Sequence, residues 1–200
     1  RMSGAVLTRD VFYGLHLGRF AEPLLRLLLF LSGVAGCAMI ASGLVLWVVK
    51  RRAALPDPSR PYLGFRIVEK LNIAAITGLP FGIAAHFLAN RLLPPDLATR
   101  AMWEVNGLFI GWAAVALWTA LRPVARAWTE TLWATAAMFA LIPLVNGATT
   151  DRHLGRSLSA GDWVFAGFDL TMLGFGLAFA GAAWRVGRPR APLATRVSAA

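Results

Sequence analysis

The chain has 200 residues and a formal net charge of +10, yet only 15% of its residues are charged and 58% are hydrophobic. A soluble domain covers itself with about a quarter charged residues, so this composition argues against one and points to a surface facing lipid. The basic residues stand between apolar runs rather than in one stripe, which reads as orientation in a membrane and not as nucleic-acid binding. The single cysteine, Cys37, excludes an intramolecular disulfide and any Cys-type zinc or iron–sulfur site.

A spanning helix needs about 20 mostly apolar residues. In chain order, residues 1–22 read as an outer, interfacial segment, with Asp10 as a cap for a short helix and Pro23 opening the first span. The spans are expected at about Pro23–Val49, Leu71–Leu93, Met102–Leu121, Thr131–Val145 and Trp163–Trp184. The fourth is short and contains Pro143. Loops such as Leu55-Pro56-Asp57-Pro58 and Leu93-Pro94-Pro95-Asp96 separate them. The expected fold is all-α: one polytopic transmembrane domain over residues 1–200, with about five spans and an N-terminal interfacial helix.

Direction follows from charge. Lys50, Arg51, Arg52, Arg60, Arg66 and Lys70 mark the first loop, Arg122 and Arg126 the third, and Arg185, Arg188, Arg190 and Arg196 the tail. These segments are expected in the cytoplasm and the N-terminus on the opposite side. Trp47, Trp103, Trp128, Trp163 and Trp184 lie near the expected helix ends, as an interfacial belt should. The first apolar stretch lacks a small-residue cleavage site, so no signal peptide is read.

Ionisable groups inside a span are costly and usually functional. His86 shares one helix face with Gly78, Gly82 and Asn90, each four residues apart. Glycines beside an imidazole leave room for another helix or a flat cofactor. His16 lies between aromatics in Tyr13-Gly14-Leu15-His16-Leu17-Gly18-Arg19-Phe20. The second span runs outward, so His86 falls near its outer end, roughly 7–8 Å before Arg91 by helical rise. His16 precedes the first span on the same outer side. Two imidazoles at similar depth suit the axial positions of one haem iron, with Arg19 and Arg91 placed for its propionates and Gly82 and Asn90 lining the pocket. Asp169, inside the fifth span, is a proton or hydrogen-bond partner, or a structural partner for an Arg or Asn of another helix. His153 reads as a solvated loop residue, and Glu22 as a local partner of Arg19 and Arg26. Gly107, Gly111, Gly174, Gly176 and Gly181 read as close-packing positions.

The run Gly14-Leu-His16-Leu-Gly18-Arg-Phe20, the span ending in Gly43-Leu-Val-Leu-Trp47-Val-Val-Lys50-Arg-Arg52, and the stretch from Val68 through Gly78-Leu-Pro80 to His86 and Asn90-Arg91-Leu-Leu-Pro94 resemble the PepSY-associated transmembrane proteins. The resemblance is to the C-terminal part of such proteins, so the chain is expected to be either a fragment or a form from which the earlier helices and the periplasmic region were removed. It implies a bacterial inner-membrane protein of iron uptake, with haem b carried by His16 and His86. It further implies a reductase of the ferric-siderophore kind, passing electrons from a membrane or cytoplasmic donor to periplasmic Fe(III). Two other classes stand beside this expectation. One is a permease for siderophore or iron complexes using Asp169, Glu104 and the helix broken at Pro143. The other is a cofactor-free membrane anchor. The absence of paired interrupted helices in two halves weighs against the permease.

Overall fold

In a computed structural model, residues 3–16, 18 and 21–188 are described, the side chain of His16 excepted. Among the described residues every regular element is a helix, and five of the helices are long and apolar enough to cross a membrane. The chain divides into two compact units, Arg1–Ser59 and Arg60–Ala200.

The first unit holds α1 (Gly4–His16) and α2 (Pro23–Ala53). Pro23 occupies the first turn of α2, where its missing N–H costs nothing. The chain closes the helix on Lys50, Arg51 and Arg52, cations at the end where the helix dipole favours them. Asp10 does not cap α1. The helix begins six residues earlier, at Gly4, and Asp10 pairs instead with Arg9 at 2.7 Å. Glu22 stands at the N-cap of α2 without a side-chain capping bond, and Arg26 Nε donates to the Ala21 carbonyl at 2.8 Å.

The second unit holds α3 (Leu63–Leu92), α4 (Arg100–Leu121), α5 (Val124–Thr149), the short α6 (Leu154–Ser159) and α7 (Trp163–Gly187). Short connections make α3, α4, α5 and α7 an up-and-down bundle. Small residues set the closest contact. A Cβ added at Gly82 would lie 2.6 Å from the Leu108 carbonyl oxygen, and one at Gly111 would lie 3.1 Å from Ala85 Cβ. Lipid offers helices no hydrophobic reason to associate, so such close backbone approach supplies the packing. Gly107 and Gly176 also face a neighbouring helix, whereas Gly174 and Gly181 face open space. The apolar core joins Ala84 and Leu88 of α3, Phe139 and Ile142 of α5, and Met172 of α7. Toward the other end, Thr77, Thr131 and Thr135 are buried, and each hydroxyl donates to the carbonyl four residues before it. Thr135 also reaches Thr77 O at 3.1 Å, tying α5 to α3.

All five spanning helices run past their expected spans at one end or both, α3 and α5 by the most. α3 starts at Leu63 rather than Leu71 because Arg66, Glu69 and Lys70 belong to its first turns, where Phe65 and Glu69 are buried and Lys70 Nζ donates to Ala120 O. α5 begins directly after Pro123 and runs through Pro143, which is itself buried. A proline inside a helix removes one N–H, and the break expected there is averted where packed neighbours hold the turn.

Candidate functional site

The Gly78–Gly82–His86–Asn90 face of α3 packs on α4. Gly78 meets Trp112 and Val115, and Gly82 meets Leu108. One turn further, His86 Nδ1 lies 2.8 Å from the backbone oxygen of Glu104. A carbonyl only accepts, so Nδ1 carries the hydrogen and donates it. In the neutral ring this leaves the Nε2 lone pair free, and Nε2 has no hydrogen-bond partner among the described residues. One more turn along, Asn90 Nδ2 donates to Glu104 Oε1 at 3.0 Å, and Arg100 Nε pairs with the same oxygen at 3.1 Å. A second Arg100 nitrogen donates to the Asn90 carbonyl. Glu104 thus clamps His86 through its backbone and Asn90 through its side chain. Its own charge is balanced by a cation on its helix.

Beside this clamp is a recess of about 370 Å³, lined by His86, Phe87, Asn90, Arg91, Val164, Phe165 and Phe168. Its walls come from the last turns of α3 and the first turns of α7. Phe87 and Phe168 meet edge to face at 5.3 Å, which fixes the aromatic wall. Arg91 lines the recess with no ion-pair partner among the described residues. The arrangement offers a fixed imidazole nitrogen, an aromatic wall and one uncommitted cation: a set suited to a flat, largely apolar ligand bearing a negative group.

Of the residues expected in a site, the bundle brings His86, Asn90 and Arg91 to this recess. Gly82 is buried one turn away against Leu108 and accommodates α4. The side chain of His16 and the whole of Arg19 lie outside the described residues. Asp169 is buried, and Asn146 Nδ2 donates to its Oδ1 at 2.7 Å. His153 stands at the N-cap position of α6 without a side-chain capping bond, its ring against Gly155. Sequence reasoning missed the Glu104 clamp, Arg100 and the three phenylalanines. Glu104 follows Arg100 by one helical turn, the spacing of an ion pair, and that was the available signal for the clamp.

Residues 2–50 match the family model described as the PepSY-associated TM region. An uncharacterized protein of Pseudomonas aeruginosa is 30% identical over 168 residues, which cover 84% of this chain and 39% of that protein. The chain thus spans about two fifths of the curated relative it matches. No solved structure matches it. The protein is a membrane protein whose described residues include five apolar helices long enough to span, and whose opening region is similar to the PepSY-associated TM region.

Proposed function

We propose that this chain is the haem-binding part of a transmembrane electron-transfer protein of the ferric-siderophore reductase kind, delivering electrons to periplasmic Fe(III) during iron uptake. One observation carries the reading: the His86 Nδ1–H is held by the Glu104 carbonyl, which leaves Nε2 as the free nitrogen beside an aromatic recess. A ligating histidine usually donates its other N–H to a carbonyl or carboxylate, which fixes the ring and raises its basicity. The His86 Nε2, the aromatic wall and Arg91 fit haem b, which His86 would hold; His16, expected as a second ligand, has its side chain outside the described residues. Arg91 and Arg19 would meet the propionates, and Asn90 would line the pocket. When bound, haem would supply a one-electron couple. The chain's own part is to orient the imidazole, exclude water with Phe87, Phe165 and Phe168, and offset carboxylate charge at the rim. We place the protein in the bacterial inner membrane with its N-terminus periplasmic and the Lys50–Arg52 end of α2 cytoplasmic, from the positive-inside asymmetry.

The test is a reduced-minus-oxidised absorption spectrum of protein made with ample haem, alongside His86→Ala and His16→Ala. The expected result is a low-spin b-type spectrum that either substitution abolishes or shifts. Colourless wild-type protein would sink the reading. A spectrum unchanged by both substitutions would sink the ligand assignment.

A further inference from the structure

Asn146 on α5 and Asp169 on α7 are 3% and 1% exposed. Asn146 Nδ2 donates to Asp169 Oδ1 at 2.7 Å. The remaining oxygens of the pair, Asp169 Oδ2 and Asn146 Oδ1, are both buried and have no hydrogen-bond partner among the described residues. A carboxylate oxygen and an amide oxygen only accept, so neither satisfies the other. A buried carboxylate also demands a positive partner.

The side chains of the surrounding elements do not supply one. The charged residues of α7 nearest in sequence are Asp162 and Arg185, and α5 carries none after Glu130. On α6, Arg156 is paired with Asp151. Arg152 lies over the Phe165 ring, and His153 stands at the start of α6 with its ring by Gly155. On α3, His86 is bonded to Glu104 and Lys70 to Ala120. Glu69 is acidic, and Arg66 and Arg91 are not paired with Asp169.

We infer that Asn146 and Asp169 form a binding site for one small cation, held between Asp169 Oδ2 and Asn146 Oδ1. The shared chemistry is a single positive charge that two hard oxygens accept, and its source is either a proton or a sodium ion. A polar depression of about 100 Å³ lined by Asp151, Arg152, Arg156, Ser157, Ala160 and Asp162 lies at the same end of the unit, where ions arrive from water. This inference is independent of the haem reading, since neither residue lines the recess.

The experiment follows unfolding of the whole chain in detergent across sodium concentration and pH, with choline as the balancing cation, and records the infrared carboxyl bands. Asp169→Asn is the companion variant, because its amide nitrogen supplies the missing donor without changing shape. If sodium fills the site, each tenfold rise in sodium above the binding midpoint lowers the unfolding constant about tenfold. Asp169 then gives a carboxylate band. If a proton fills it, the folded chain shows a carboxylic-acid band that Asp169→Asn removes, and its unfolding does not follow sodium. Asp169→Asn loses whichever signature the wild type shows. A wild type with neither sodium-dependent unfolding nor a carboxylic-acid band would overturn the proposal, and that outcome is read on the wild type alone, whether or not the variant folds.

Discussion

Replacing Gly82 by alanine tests the α3–α4 contact that positions His86. The new Cβ would sit 2.6 Å from the Leu108 carbonyl oxygen, about 0.8 Å short of ordinary contact at 3.4 Å. The obstruction is backbone, so no side-chain rotation relieves it, and the helices must part. Overpacking of this kind costs about 1–3 kcal/mol. His86 lies one turn away, and its 2.8 Å bond to Glu104 O would open toward about 3.6 Å, a length at which it ceases to be a hydrogen bond. Losing that bond adds about 0.5–1.5 kcal/mol. Gly174→Ala is the control: its Cβ meets nothing within 4 Å, so only helix propensity acts, in favour of alanine by up to about 1 kcal/mol. That propensity gain is common to both variants, so equilibrium unfolding in detergent should separate them by at least about 1.5 kcal/mol, with Gly82→Ala the weaker. Equal stability would refute the claim that the glycine face is filled by α4.

Three further outcomes are expected. Histidine nitrogen NMR of the haem-free protein should show His86 as the Nδ1–H tautomer, and a Nε2–H signal would remove the basis for Nε2 as a ligand. Thr135→Val should cost about 0.6 kcal/mol by unfolding, the usual worth of one interhelical hydrogen bond in a membrane bundle, because its hydroxyl ties α5 to Thr77 O; no change would mean that the hydroxyl does not tie the two helices. In a Cys37→Ser background, an impermeant maleimide applied outside intact cells should label Asp96→Cys and spare Ser59→Cys, and the reverse pattern would invert the proposed orientation.

The five spans were legible because lipid imposes one requirement, a long run of apolar residues, that hydropathy reads directly. Their ends were less so. The first turns of α3 mix Phe65 and Glu69, both buried, with Arg66 and Lys70, and a window that averages hydropathy sees only the charge. Pro143 misled in the same way, since its effect on α5 depends on neighbours outside its own stretch. The periodic face of Gly78, Gly82, His86 and Asn90 was legible as a face, but its partner was not. Glycine spacing says that something approaches closely, and only the tertiary fold says that it is α4. The Glu104 clamp was hidden for a further reason: it acts on His86 through a backbone oxygen, which every residue has and no sequence pattern marks. Asn146 and Asp169 are the converse. The sequence asked for an Arg or Asn partner, and the fold supplied the asparagine.

The length of α2 has a consequence for the bilayer itself. Between Arg26 and Lys50 stand about 23 residues without charge, a rod of about 35 Å at 1.5 Å per residue. The hydrocarbon layer is about 30 Å thick. Charges fix both ends of the rod: Arg26, tied to Ala21 O, and the Lys50–Arg52 cluster. The surplus of a few ångströms has to be taken up by tilt or by thicker lipid. The helix is thus matched to a bilayer somewhat thicker than average, and a change of acyl-chain length would act on its tilt before it acted on its fold.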